Sequence, residues 1–195
     1  PHVGNAVARQ TRALNTNTRY LYDSVLEYAD RLAERLPGEL GSVMFVNSGS
    51  EANDLAWRMA RAWSGHGGAL VTAGAYHGVT EAIEALSPYD RSRDFERPHV
   101  ARIASPAPTQ SDSPDRDGTG DGVYASDIDR AINGLASAGY GIAGTMIDST
   151  LASDGILDAP AGWLETLFAR VRARGGLCIA DEVQAGFGRL GTAWG

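Results

Sequence analysis

Short apolar runs of strand length alternate with helical periodicities along this chain, and that alternation leaves few architectures open. Residues 69–72, 100–104, 142–147 and 177–180 read as strands, and the run V-M-F-V at 43–46 reads as one more. Helical spacing separates them. Over 23–36 the positions Val25, Leu26, Ala29, Leu32, Ala33 and Leu36 recur at that spacing until Pro37-Gly38 stop the pattern. Leu55, Ala56, Met59, Ala60 and Trp63 mark a second helix, and others are expected at 80–86, from Ser126, and over 160–174. Strand–helix–strand units of this length make a mostly parallel sheet with helices on both faces, a three-layer α/β/α domain. Residues 106–122, rich in Pro, Gly, Ser and Asp, read as a long mobile surface loop.

Composition narrows the function. The formal charge is −7 and basic residues are not clustered, which argues against nucleic acid or an anionic membrane as the main partner and favours small molecules. No apolar run reaches the roughly 20 residues of a membrane helix, and the first ten residues lack the apolar core of a signal peptide, so the cytoplasm is the expected compartment. The one cysteine, Cys178, lies within an apolar run and reads as a structural thiol. All 17 basic residues are arginine. Chemistry that needs a lysine amine therefore cannot be completed by these 195 residues.

In parallel sheets of this kind ligands sit beyond the carboxyl ends of the strands, so the loops after Val46, Thr72, Ile147 and Ala180 carry the candidates. After Val46, Ser48 and Glu51 stand at capping-box spacing, which leaves the N–H groups of Gly49 and Ser50 free at the positive end of a helix, an opening suited to a phosphate. After Thr72 comes A-G-A-Y-H-G, where Tyr76 and His77 either pack locally or lie against a planar ligand. Asp148 opens a polar turn. Asp181 leaves a buried strand and needs a cationic or hydrogen-bonding partner, either a protonated ring nitrogen or an arginine. Alternation along the strand puts Asp181 and Val183 on one side and Glu182 on the other. The following G-F-G-R-L-G matches a dinucleotide fingerprint in letters only: two residues, Gln184 and Ala185, separate it from the D-E-V of the strand end, and only T-A-W-G follows.

Four stretches, L-N-T-N-T-R-Y-L at 14–21, F-V-N-S-G-S-E-A-N-D-L-A at 45–56, A-Y-H-G at 75–78 and D-E-V-Q-A-G-F-G-R-L-G at 181–191, together resemble the class III aminotransferases. These enzymes have the type I fold and use pyridoxal 5′-phosphate. The first two motifs are most similar to the branch that holds alanine–glyoxylate aminotransferase-like proteins and phospho-lyases of phosphorylated amino alcohols. The resemblance makes residues 1–195 part of a cofactor-binding large domain and implies roles for its motif residues. Gly49 and Ser50 would hold the cofactor phosphate, and Tyr76 would stack on the ring with Val183 on its other face. Asp181 would pair with the pyridinium nitrogen, Gln184 would stand near the phenolic oxygen, and His77 belongs to the same motif as Tyr76. No metal is implied.

The resemblance also implies what these residues lack: an N-terminal segment, the downstream lysine that forms the Schiff base, and a C-terminal small domain. The 195 residues alone are expected to be inactive, and the complete enzyme to be a homodimer. Asp148-Ser149 stands where many relatives have Glu-Pro, which retracts a carboxylate by one methylene. Amino transfer between an amine or amino acid and an oxo acid is the leading expectation. A lyase, epimerase or decarboxylase of the same family is an alternative, as are a nucleotide-binding oxidoreductase and a non-catalytic domain.

Overall fold

The computed structural model describes residues 1–17, 19–38, 40–89, 97–106 and 123–195. Two compact units divide the chain, Pro1–Phe45 and Val46–Gly195. The first holds α1 (His2–Ala13) and α2 (Asp23–Ala33). None of its described residues is fully buried, and the Tyr28 and Phe45 rings stack with centroids 5.3 Å apart. Helix α2 is the one expected at 23–36, its last turns loosening before Pro37. Helix α1 was not anticipated.

The second unit contains α3 (Gly49–Ser64), β1 (Gly68–Thr72), α4 (Glu81–Glu84), β2 (Val100–Ile103), α5 (Val123–Ser137), β3 (Ile142–Asp148), α6 (Trp163–Arg172) and β4 (Leu177–Asp181). Its strands form one parallel sheet in the order β2-β1-β3-β4. Every residue of β1 and β3 is buried, so neither strand shows the polar–apolar alternation of a half-exposed sheet. Their neighbouring positions instead face two separate cores. Leu70, Ile142 and Ile147 pack with Ile128 and Ile132 of α5 and with Trp163, Leu167 and Val171 of α6. Ala69, Val71, Ala143 and Met146 pack with Trp57 and Ala60 of α3 and with Ile83 and Leu86 on the other face. The three-layer arrangement expected from the alternation is present. Burying each large aliphatic side chain here stabilises the unit by about 1.5–3 kcal/mol.

Three expectations need correction. Residues 43–46 form no strand: they run as irregular, largely exposed chain, because an apolar run becomes a strand only when a neighbour completes its ladder, and the four described strands do not include one beside it. Ser126 lies inside α5 rather than opening it. Helix α4 shrinks to a single turn, with its cap N–H bonded to Ile83. The loop expected at 106–122 lies, apart from Pro106, outside the described residues.

Candidate active site

The positive end of α3 is built as its sequence demands. Ser48 takes the extended conformation of an N-cap, and its hydroxyl accepts from the Glu51 N–H at 3.2 Å. Glu51 reaches back one residue further than a standard capping box, its Oε2 accepting the Asn47 N–H at 2.7 Å. Helical geometry leaves the N–H groups of Gly49 and Ser50 without partners inside the helix. Gly49 is required by its neighbour, since a Cβ there would lie 2.6 Å from Val183 Cγ2. Ser50 fastens the next loop: its hydroxyl accepts the Val79 N–H at 3.2 Å, and Gly78, at φ +137°, leaves no space for a side chain between them.

Asp181 is the last residue of β4 and only 6% exposed. Its Oδ2 accepts from Asn53 Nδ2 and from His77 Nδ1, both at 2.8 Å, and its Oδ1 accepts the Val183 N–H at 3.1 Å. Burial works to raise its pKa. The hydrogen bond from His77, the Val183 N–H, the charge of His77 and the bond from Asn53 outweigh that effect and hold the carboxyl below its ordinary value of 3.8. The partner of Asp181 is therefore not an arginine among the described residues. His77 lies with its side chain fully buried, and its backbone N–H donates to Ser87 Oγ at 2.9 Å. Its Nε2 is buried without a hydrogen-bond partner.

Because the folded pKa of Asp181 is depressed, its ionised form adds stability above pH 3.8, and that contribution is lost as the pH falls toward the lowered value. Asp181→Asn should therefore flatten the acid limb of a urea-midpoint profile between about pH 5 and pH 3 relative to the parent. Identical acid limbs would show that the network does not favour the anion.

One cleft of about 180 Å³ within the second unit gathers every candidate. Gly49, Ser50, Tyr76, His77, Asp181, Val183 and Gln184 all line it. Gly78, Asp148 and Ser153 complete its wall. Tyr76 is 40% exposed, its ring held edge-on by Tyr89 at 4.9 Å, and Val183 is 64% exposed. An aromatic face and an aliphatic side chain thus remain open at the rim, a setting for a flat ring. Glu182 points elsewhere, as strand alternation required, and accepts from Ser149 Oγ at 2.7 Å. Asp148 lies beside Asp181 in the sheet register, but its carboxylate folds back to accept the N–H and hydroxyl of Thr150 and the N–H of Ala152. It caps its own turn.

The sequence reading missed Asn53 and Asp154. Asn53 is buried and donates from one amide nitrogen to both Asp181 and the His77 carbonyl. A polar residue on the helical face of Trp57 and Ala60 was the signal available for it. Asp154 ties three loops together. The G-F-G-R-L-G segment is a run of turns closed by the Phe187 N–H on the Ala193 carbonyl at 2.8 Å, and its glycines line no part of the cleft.

Among the described residues no helix is long and apolar enough to cross a membrane, and no cluster of side chains could hold a metal ion.

Comparison with known proteins gives the family. Residues 1–195 match the family model for class-III aminotransferases. An alanine–glyoxylate aminotransferase 2-like protein of Drosophila melanogaster is 35% identical over 201 residues, covering 98% of this chain and 40% of the relative. A Caenorhabditis elegans ethanolamine-phosphate phospho-lyase homologue is 34% identical over 209 residues, covering 100% and 44%. A solved phospholyase from Arthrobacter, in complex with phosphoethanolamine, superposes with a TM-score of 0.89 at 36% identity, covering 100% of this chain and 46% of that one. The chain spans less than half the length of these relatives. It belongs to the class III aminotransferase family.

Proposed function

We propose that this chain supplies the cofactor-binding face of a pyridoxal 5′-phosphate-dependent aminotransferase, which moves an amino group between a small amine or amino acid and an oxo acid. The observation that carries the reading is the convergence on one cleft of a buried, ionised carboxylate and an open helix start. The residues fit the cofactor. Three donors occupy the Asp181 carboxylate, which has about four lone-pair sites, so one position on Oδ1 stays open for a ring N–H. The missing Cβ of Gly49 keeps the amides of α3 approachable by phosphate.

When bound, pyridoxal phosphate offers an electron sink for the pair left by a broken Cα–H bond, and the sink is deep only while the ring nitrogen carries a proton. Asp181 holds that proton. Asn53 and His77 orient the carboxylate and keep it anionic, while Gly49 and Ser50 bind the phosphate through their N–H groups. Tyr76 and Val183 would hold the ring between them, and Gln184, on the same cleft wall, would serve its phenolic oxygen. The covalent anchor must be a lysine outside these residues, since none is present among them. We further infer a cytoplasmic homodimer acting on small molecules.

A second reading, phospho-lyase activity on a phosphorylated amino alcohol, is favoured by the likeness to the Arthrobacter phospholyase. Both readings are tested on the complete gene product. Reconstituted with pyridoxal phosphate, it should retain the cofactor through gel filtration and convert an oxo acid to the amino acid when an amino donor is added. Release of inorganic phosphate from phosphoethanolamine without amino transfer would replace the first reading by the second. Failure to bind pyridoxal phosphate, with measurable NAD binding, would remove both.

A further inference from the structure

Three loops at the carboxyl end of the sheet meet on one side chain that the reaction itself does not use. Asp154 Oδ2 accepts from Thr72 Oγ1 at 2.8 Å, at the end of β1. Its Oδ1 accepts the Gly74 N–H at 2.9 Å and also the hydroxyl of Ser105, which follows β2. Asp154 itself stands in the loop after β3. Contact is close enough that a Cβ on Gly74 would lie 2.7 Å from Asp154 Oδ1. The donors come from the end of β1 with its following loop and from the loop after β2, and Asp154 itself from the loop after β3, so the carboxylate works as a three-way fastening.

The loop it holds is strained. Leu151 and Ile156 have φ of +47° and +58°, a region costly for any side chain and most costly for a β-branched one. Such a backbone persists only where the surroundings over-determine it. Asp148 fixes the start of the loop through Thr150 and Ala152, and Asp154 fixes its far side. Between them Ser153 lines the cleft, and Gly74 stands two residues before Tyr76.

We propose that Asp154 is a positioning residue, whose carboxylate locks the loops after β1, β2 and β3 together and so fixes where Tyr76 and Ser153 stand in the cleft wall. Its effect on cofactor affinity rests on the reading that the cleft holds pyridoxal phosphate; the fastening itself does not.

Asp154→Ala and Asp154→Asn in the complete gene product separate the possibilities. An asparagine can keep its oxygen toward Gly74 and Ser105 and turn its NH₂ to the Thr72 oxygen, so it preserves the fastening. Alanine cannot. The alanine variant should weaken pyridoxal phosphate binding about tenfold or more, read by absorbance titration, while the asparagine variant stays within about threefold of the parent. Without cofactor, amide hydrogen exchange at residues 74–76 and 150–155 should speed up at least about tenfold in the alanine variant alone. Unchanged exchange and affinity in Asp154→Ala, with only a lower Tm, overturn the proposal; so does an asparagine variant as impaired as alanine. A parent that binds no pyridoxal phosphate removes the reading of the cleft, and the exchange experiment still decides the fastening.

Discussion

On the proposed reading, Asp181→Asn should lower kcat of the complete gene product by about 10²–10³-fold while the fold survives, the scale seen when one preorganised electrostatic group is removed. The local network explains both halves of this expectation. His77 and Asn53 converge on Oδ2, so the asparagine oxygen takes that place and keeps both bonds. Its NH₂ then occupies the position of Oδ1, where it meets the Val183 N–H and would face the nitrogen of a bound ring. A donor there favours an unprotonated ring. The electron sink becomes shallow, yet only the Val183 N–H loses its acceptor. Steady-state kinetics beside circular dichroism and urea unfolding check the two halves, and a normal rate in a folded variant refutes the assignment of Asp181.

The second unit was readable because its helices and strands obey local rules. The four apolar runs at 69–72, 100–104, 142–147 and 177–180 became the four strands, each within a residue of its expected bounds. Ser48 caps α3 through the backbone N–H three residues on, as the serine-to-glutamate spacing signalled. Residues 43–46 carry the same kind of apolar run and formed no strand, since strand formation depends on a neighbour that local sequence does not specify. The cleft divides in a similar way. Five of its seven candidates, Tyr76, His77, Asp181, Val183 and Gln184, sit at or just beyond the ends of β1 and β4, where topology brings distant segments together, and Gly49 and Ser50 join them from the start of α3. Asn53 and Asp154 went unread because their partners lie 128 and 82 residues away, at Asp181 and Thr72. A buried amide or a loop carboxylate looks ordinary until the fold supplies the donor or acceptor it meets.

Gly49 gives the second large effect. It is the first residue of α3 with ordinary helical backbone, so alanine suits it as well as glycine does, and Gly49→Ala should leave the helix intact or strengthen it. The cost falls in the cleft. The new methyl would lie 2.6 Å from Val183 Cγ2 and 3.2 Å from Cγ1, so both methyls of a stiff β-branched side chain stand in its way. Either Val183 or the helix start must shift, and on the proposed reading the first would leave the ring and the second the phosphate. Affinity for pyridoxal phosphate should then fall about 10- to 100-fold with no loss of thermal stability. Val183→Ala frees that space, and in its background Gly49→Ala should cost far less, a coupling of at least about 1 kcal/mol in a double-mutant cycle of cofactor affinities. Penalties that merely add would show that Val183 and the start of α3 do not grip the same molecule, and the pairing of an acid with an open helix end would lose its physical link.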